Sequence, residues 1–320
     1  MRSPYSAGGA EACAFVTAWT KEPEPGVTSW IQDGVARVTV RSRTLRPAHT
    51  TNVYWVVSDG QALIVDMGAR STSEAEKIIQ SWRWLGSPDV VAIVITHEHR
   101  DHVENAVYVA ERLGTTIRAH KRTLAAIHRL RSGQTNRFAT RLAGLAPLPE
   151  DGGWLYVGGR RLQVIHVPGH SPGHVNFLLP ANAAGSVLFA GDTCSGLSSV
   201  GVFAPTGNMA AYLTSLDRLI ALQPDRLAPG HGDILAPGAD VLRYFKEHRL
   251  ARETAILREL QLHPHGLRLV DLTRLVYSEP SDPGVNWMTL ASVRAHLVKL
   301  QAEDRVVMSG RGPLGRVRGT

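Results

Sequence analysis

The sequence has few cysteines and no long apolar run. Only Cys13 and Cys194 are present among 320 residues, so a disulfide framework is not expected and nothing indicates an oxidising compartment. No apolar stretch approaches the roughly 20 residues that cross a bilayer. The Ala-rich stretch 7–19 is interrupted by Glu11 and preceded only by Arg2, which is a poor signal peptide. We therefore expect a cytoplasmic protein that does not interact with membranes.

The charge is unevenly distributed. Hydrophobic residues make up 43% of the chain and charged residues 20%, as in ordinary globular proteins. The net charge is +7, and segment 111–145 alone has a surplus of that size. Its basic residues are Arg112, Arg118, Lys121, Arg122, Arg129, Arg131, Arg137 and Arg141. The segment is either a solvated helical face or an electropositive rim that attracts an anionic substrate.

Predicted strands and helices alternate between residues 35 and 228, which is typical of an α/β fold. Strands are predicted at 35–40, 52–57, 62–65, 90–95, 115–119, 162–167, 175–179, 187–190 and 226–228, and helices at 73–85, 105–113 and 210–222. Residues 1–30 are predicted to be irregular. Each motif of chemical interest follows a predicted strand, where the loops of such folds converge.

The pattern changes after Pro237. Amphipathic helices are predicted at 241–261, 269–277 and 289–302, followed by a short strand at 305–308. Three helices and a ribbon in so short a stretch indicate a winged-helix module. We expect an irregular segment over 1–30, a catalytic domain over 31–240 and a winged-helix-like domain over 241–320.

The motif HEHRDH follows the apolar strand predicted at 90–95. Alternate residues in the turn after a strand point the same way, so His97 and His99 can bind one metal ion together. Asp101 and His102 can reach a second ion about 3.5–4 Å away. Imidazole and carboxylate ligands suit zinc, and also iron or manganese.

Three later motifs supply ligands that this cluster lacks. His170 in VPGH can complete the set around the first ion, and His231 in APGHG can complete the second. Asp192 in AGDT can bridge the two ions. Any one of these could be a structural loop residue. Seven such side chains in strand-end turns predict a dinuclear site, and we expect two zinc ions per chain, with iron or manganese as alternatives.

These motifs resemble those of the metallo-β-lactamase superfamily. The run HEHRDH matches its HxHxDH motif, and Asp66 in LIVDMG matches its first motif, whose aspartate supports the metal ligands from behind. His170, Asp192 and His231 match its later ligand motifs. Where some true β-lactamases have a cysteine ligand, this chain has Asp192. The resemblance covers about residues 35–235 and implies a four-layer αββα sandwich with the site at one edge of its two sheets.

The C-terminal third resembles a narrower group. The stretches HRLARETAILREL and LASVRAHLVKLQAEDRV are similar to the winged-helix tail of the β-lactamase-like protein 2 group, which includes single-strand-specific endoribonucleases. Related enzymes of similar layout hydrolyse acyl-carrier-protein thioesters. The long insertion of the large RNA-processing nucleases is not apparent between His170 and His231.

The ligand set predicts a hydrolase in which a metal-bridging hydroxide attacks a polarised carbonyl or phosphoryl group. Asp101 is a predicted ligand and a candidate proton acceptor, so we treat it as catalytic. His174 is a candidate catalytic residue on the substrate side, with a structural hydrogen bond as the alternative. We expect Cys194 to be a buried thiol and Asn52 to fix its loop.

Three classes of function remain open. The first is hydrolysis of an ester, thioester or phosphodiester of an anionic substrate, such as an acyl-carrier or CoA thioester or single-stranded RNA. Segment 111–145 has no aromatic residue beyond Phe138 on which bases could stack, which weakens the endoribonuclease alternative. The second is a nucleic-acid-binding regulator that uses the winged helix, although the helices are nearly neutral. The third is a mononuclear-iron dioxygenase-like relative, which the complete ligand set disfavours. A homodimer is compatible with each class.

Overall fold

The computed structural model describes residues 22–132, 144–279, 283–310 and 312–320. Most of the predicted irregular segment, together with Arg137, Phe138 and Arg141 of the basic segment, lies outside these ranges. The structure differs from the prediction at the end of that segment, because a strand begins at Thr28. Within the described residues, no helix is both long enough and apolar enough to cross a membrane.

The predicted alternation of strands and helices is present. The strands are β1 Thr28–Gln32, β2 Val35–Arg41, β3 Thr50–Ser58, β4 Gln61–Val65, β5 Asp89–Ile95, β6 Ile117–Ala119, β7 Leu145–Pro147, β8 Trp154–Val157, β9 Arg160–His166, β10 Val175–Asn182, β11 Gly185–Gly191, β12 Arg226–Pro229, β13 Leu267–Arg268, β14 Val306–Ser309 and β15 Arg316–Gly319. The helices are α1 Thr72–Trp84, α2 Arg100–Val103, α3 Ala106–Leu113, α4 Lys121–Ser132, α5 Met209–Ala221, α6 Gly238–Leu262, α7 Leu269–Val276 and α8 Trp287–Ala302.

Two sheets form the centre of the molecule. The first has the order β1-β2-β3-β4-β5-β6-β7, and the second has the order β12-β11-β10-β9-β8. Strands β3 and β4, which correspond to the strands predicted at 52–57 and 62–65, form an antiparallel hairpin with Ser58 opposite Gln61. From β4 to β7 the neighbouring strands are parallel. Consecutive parallel strands need crossover connections, which brings the ends of β4 and β5 to the same edge.

Alternating side chains along the strands define the layers. On β3, Trp55 packs with α1 and α3, whereas its neighbour Val56 points between the two sheets. On β11, Phe189 points between the sheets, and Leu188 packs with α5 and the start of α6. The resulting order of helices, sheet, sheet and helices confirms the predicted αββα sandwich.

Helix α6 belongs to two hydrophobic cores. Near its start, Phe245 packs into the outer layer of the second sheet. Further along, Ile256 and Leu260 enter a smaller core with α7, α8 and the sheet β13-β15-β14. The predicted C-terminal helices and ribbon are therefore present, but one unbroken helix joins them to the sandwich. The winged-helix assignment and the domain boundaries stay predictions.

The fold makes a prediction about a buried hydrogen bond between the first sheet and α1. Trp55 is fully buried, and its Nε1 donates to Ser81 Oγ at 2.9 Å. Ser81→Ala leaves this N–H without its acceptor, so we expect the free energy of unfolding in urea to fall by about 1–3 kcal/mol. The control Gln80→Ala changes an exposed position of the same helix and should alter it by less than about 0.5 kcal/mol. Equal losses of unfolding free energy in Ser81→Ala and Gln80→Ala would contradict a stabilising role for the hydrogen bond between Trp55 and Ser81.

Candidate metal centre

The seven predicted ligands meet at one edge of the sandwich. Residues 97–102 follow β5, His170 follows β9, Asp192 follows β11 and His231 follows β12. His97, His99, His170 and Asp192 form one group, and Asp101, His102 and His231 form a second. Within each group the potential ligand atoms lie within 4.8 Å of one another.

Asp66 holds the first turn of the site together. Its Oδ1 accepts from the backbone N–H of Thr96, and its Oδ2 accepts from Thr96 Oγ1, each at 2.8 Å. The same Oδ2 lies 2.8 Å from His102 Nδ1. The carboxylate therefore fixes the turn after β5 and leaves His102 Nε2 facing the centre, as expected of an aspartate behind the ligands.

Gly68, in the segment after β4, lets helix α2 approach the backbone closely. Gly68 has φ +86°, and a Cβ on it would lie 1.6 Å from the carbonyl oxygen of Asp101. The neighbouring Met67 N–H donates to the carbonyl of His102 at 3.1 Å. The helix that carries Asp101 and His102 can thus rest directly on the backbone after β4, which no other residue type would allow.

The ring nitrogens of the first group lie close to the spacing of ligands around one metal ion. His97 Nε2 lies 3.0 Å from His99 Nδ1, and His170 Nε2 lies 2.8 Å from His99 Nδ1 and 3.2 Å from His97 Nε2. Zinc–nitrogen bonds of about 2.0–2.1 Å give a ligand separation of about 3.3 Å in a tetrahedron. The three rings therefore converge closely enough to bind one ion.

Asp192 faces both groups. Its Oδ2 lies 3.4 Å from His170 Nε2, in the first group. Its Oδ1 lies 3.3 Å from His102 Nε2 and 3.5 Å from His231 Nε2, in the second. The second group is completed by Asp101, whose Oδ2 lies 3.3 Å from His231 Nε2. One carboxylate thus offers one oxygen to each group.

Backbone carbonyls orient two of the rings from behind. His170 Nδ1 lies 2.6 Å from the carbonyl oxygen of Gly201, and His231 Nδ1 lies 2.6 Å from that of Thr50. A carbonyl can only accept a hydrogen bond, so each ring carries its proton on Nδ1. The Nε2 lone pairs are therefore directed into the centre.

The electrostatics favour binding of a cation. Burial lowers the pKa of His170 to about 4, so its ring is neutral at pH 7, which is the form that binds metals. Burial would raise the pKa of Asp192, but His102 and His231 outweigh it and hold that pKa well below its ordinary value. His102 Nε2 and Asp192 Oδ1 are buried without a hydrogen-bond partner among the described residues. Such atoms are costly unless an ion satisfies them, so these residues fit a metal site.

His174 lies behind the centre and does not line the cavity in front of it. The side chain is buried, and its Nε2 accepts from the backbone N–H of Asp192 at 3.1 Å. These contacts support the structural alternative over the catalytic role predicted for His174. Its effect on the reaction would be indirect, through the position of Asp192.

Asn52, on strand β3, and Cys194 have the structural environments expected of them. Asn52 Nδ2 donates to the carbonyls of Pro229 and Gly232 at 2.9 and 2.7 Å, and so fixes the turn that carries His231. Cys194 is a buried free thiol, and burial raises its pKa well above the ordinary value. It belongs to neither ligand group.

The centre opens into a cavity of about 600 Å³. The walls come from the sandwich and also from α6 and α8. Five arginines line it, namely Arg43, Arg46, Arg100, Arg249 and Arg252. None of the described residues of segment 111–145 does so. Among the described residues, the positive charge of the cavity therefore comes from other parts of the chain, and the described part of segment 111–145 gives no support to the electropositive-rim alternative.

Sequence reasoning missed the arginines of α6, although a signal was available. Phe245, Ile256 and Leu260 follow the helical spacing of a buried stripe. Arg249 and Arg252 occupy positions on the same stripe, and both are buried. A charge at a core position of an amphipathic helix is a departure that indicates a functional site.

Known proteins are similar to this chain in sequence and in fold. The sequence model described as "Metallo-beta-lactamase superfamily" matches residues 46–231, which include all seven candidate ligands. The chain is 26% identical over 287 residues to a beta-lactamase-like protein 2 homolog of Drosophila melanogaster, covering 89% of this chain and 93% of the relative. It is 31% identical over 244 residues to a hydroxyacylglutathione hydrolase of Xylella fastidiosa, covering 75% and 80% respectively. A beta-lactamase domain protein from Burkholderia ambifaria shares the fold, with a TM-score of 0.72 over 99% of this chain and 97% of its own, at 22% identity.

The close packing at Gly230 gives a test of the centre. A Cβ at this position would lie 2.5 Å from His102 Cε1 and 2.9 Å from Asp192 Oδ1. We expect Gly230→Ala to weaken metal binding by about 10- to 100-fold, as changes behind metal ligands do. The measurement is metal affinity by competition with a chromophoric chelator. Gly319→Ala, which places its methyl group in open space, is the matched control and should bind metal normally. Unchanged affinity in Gly230→Ala would show that these groups do not form the metal site.

Proposed function

The chain belongs to the metallo-beta-lactamase superfamily, and we propose that it is a dinuclear-zinc hydrolase of anionic thioesters. Hydrolysis follows from the family. The number of ions, their identity and the substrate are inferred from the site and from one relative. Each of these inferences has its own support and its own test.

The observation that carries the proposal is the division of the Asp192 carboxylate between two ligand groups. The first ion would be held by His97, His99 and His170, the second by Asp101, His102 and His231, and both by Asp192. Nitrogen and oxygen donors at tetrahedral spacing suit zinc, and iron or manganese would accept the same donors. Two complete groups disfavour the mononuclear-iron alternative.

The side chains of the site divide the work of hydrolysis. When bound, a pair of metal ions lowers the pKa of water and polarises the acyl oxygen of the substrate. Asp101 lines the cavity and is ionised, because His231 and His102 overcome the effect of burial and hold its pKa well below the ordinary value. We assign to its carboxylate the orientation of the attacking water and the acceptance of its proton. The carbon–sulfur bond then breaks, and the proton passes to the departing thiolate.

The cavity suits a small amphiphilic ester better than a nucleic-acid strand. A volume of about 600 Å³ lies within the usual range of small-molecule sites. Apolar side chains such as Leu45, Val200 and Met288 line it together with the arginines. Phe203 also lines it and packs 5.4 Å from the ring of Trp287 at the start of α8. The hydroxyacylglutathione hydrolase relative is named for a thioester substrate, which favours that bond over an oxygen ester.

Cleavage of single-stranded RNA is the second candidate. It is favoured by the similarity to a beta-lactamase-like protein 2 homolog, which extends over 93% of that relative. The arginines of the cavity could bind the phosphates of an RNA backbone as well as the charged groups of a thiol carrier. A nucleic-acid-binding regulator is less well supported, since the arginines of α6 are buried in the cavity.

A substrate panel separates these candidates. Full-length protein purified without chelators should contain about two transition-metal ions per chain, mainly zinc. We expect hydrolysis of acyl-glutathione or acyl-CoA, slower hydrolysis of a lactone, and no cleavage of a labelled RNA oligonucleotide. Exhaustive chelation should abolish the activity and zinc should restore it. Metal-dependent RNA cleavage without thioester turnover would overturn the proposal in favour of the second candidate.

Asp101 gives a test of the proton acceptor. Asp101→Asn keeps the shape and removes the negative charge, so we expect kcat to fall by at least about 10²-fold, within the range of general base contributions. The circular dichroism spectrum should be unchanged, because the residue lies in the short helix α2 at the edge of the sandwich. Metal content measured on the same sample separates loss of an ion from loss of the base. A variant with near-normal turnover would remove Asp101 from the mechanism.

A further inference from the structure

We propose that helix α6 provides an anion-binding subsite, centred on Arg249, that holds the charged part of the thiol carrier while the acyl bond lies at the metal centre. The choice of a thiol carrier rests on the proposed function. The subsite itself is supported by the contacts of the arginines that line the cavity.

Arg249 is a buried cation that faces the cavity. Only 3% of its surface is exposed. One terminal nitrogen donates to the carbonyl of Val200, and Nε is buried without a hydrogen-bond partner. Among the described residues no carboxylate forms an ion pair with it. Burial of such a charge is costly unless an anion pairs with it, and the cavity is where that anion can enter.

The surroundings of Arg249 are also positive. Arg252 lies one turn further along α6, with its guanidinium 3.9 Å from the ring centroid of Tyr277, and it lines the same cavity. Burial, together with the charges of Arg249 and Arg252, lowers the pKa of His248 to about 3. His248 therefore stays neutral and adds no repulsion toward these cations at neutral pH. The positive charge that is available for a ligand on this face of α6 is that of Arg249.

The other cavity arginines fall into two kinds. Arg43 and Arg100 both pair with Glu104, at 2.6 and 2.8 Å, so each has an acidic partner, although the one carboxylate offsets only one of the two charges. Arg46, in the loop between β2 and β3, is exposed and has no ion pair among the described residues. Two cavity arginines therefore have no acidic partner among the described residues. Arg46 lies on the wall formed by the sandwich, and Arg249 lies on the wall formed by α6. Guanidinium groups on two walls can bind phosphate or carboxylate through paired hydrogen bonds.

The subsite lies next to the metal centre. Arg249 donates to the carbonyl of Val200, and the next carbonyl along the chain, that of Gly201, accepts from His170 at 2.6 Å. A single peptide unit therefore separates the arginine from a candidate ligand. A thioester with a phosphate or carboxylate on its thiol side can reach both places at once. The substrate class is thus an acyl thioester of a charged, low-molecular-weight thiol.

Three thioesters of the same acyl group test this assignment: acyl-CoA, which carries phosphates, acyl-glutathione, which carries carboxylates, and acyl-N-acetylcysteamine, which carries no charge. For the charged substrate that the wild-type protein prefers, Arg249→Met should raise KM by about 10- to 100-fold, as expected for a lost hydrogen bond to a charged group. Turnover of the neutral thioester should change by less than about threefold, and Arg249→Lys should be intermediate. Arg258→Met, at an exposed position of the same helix, is the matched control and should behave as wild type.

The neutral substrate separates binding from support of the fold. If Arg249→Met impairs all three thioesters equally, Arg249 only braces the loop at Val200 and the proposal is wrong. Arg46→Glu provides a second variant at an exposed position, where folding is not at risk. It should also raise KM for the charged substrate alone, and an unchanged KM would contradict a subsite that uses both walls.

Calorimetry on the metal-loaded full-length protein provides a measurement that does not depend on turnover. Free CoA and free glutathione are the probes. At least one should bind, with an affinity that falls at least about tenfold in Arg249→Met and is unchanged in Arg258→Met. Binding of CoA alone would identify phosphate as the preferred anion, and binding of glutathione alone would identify carboxylate. Binding without any thioester turnover would retain the subsite but reject the proposed function. Binding of neither probe by the wild-type protein would overturn the subsite.

Discussion

The central constraint of this structure is the crowding of lone pairs in a buried space. Five imidazole rings and two carboxylates direct nitrogen and oxygen atoms toward one another at hydrogen-bonding distances, and two of these atoms have no partner among the described residues. Without a cation such an arrangement is unfavourable, because buried polar atoms lose their water and gain nothing in return. The surrounding scaffold must therefore hold each ligand from behind. Asp66 and the carbonyls of Thr50 and Gly201 have that task, and Gly230 leaves room for the side chains of His102 and Asp192.

Much of the candidate metal centre could be predicted from the sequence, because several of its residues lie close together in one short motif. The candidate ligands His97, His99, Asp101 and His102 lie within six consecutive residues that directly follow one predicted strand. The strands were recognisable since residues such as Trp55 and Val56 alternate between two buried faces. Strand β8 was not predicted, because it is only four residues long and Tyr156 within it is exposed.

The cavity could not be predicted in the same way, because it depends on residues that are distant in the sequence. A count of charges pointed to segment 111–145, but such a count contains no direction, and none of the described residues of that segment lines the cavity. Arg46 and Arg249 meet at one cavity only through the tertiary fold. His174 illustrates a related difficulty. Its position four residues after His170 leaves a catalytic and a structural role open. Only the hydrogen bond that its ring accepts from the backbone N–H of Asp192 favours the structural one.

The unbroken course of α6 through two cores has a consequence for the evolution of this protein. A helix advances by about 100° per residue, so one inserted residue between Phe245 and Arg249 would turn every later side chain away from its present neighbours. The small core around Ile256 and the arginines of the cavity would be displaced together. An insertion in a surface loop would leave these contacts in place, whereas a change in the length of this helix between its two cores would disrupt both. Divergence in substrate preference is therefore expected to proceed by substitution along α6, with its register conserved.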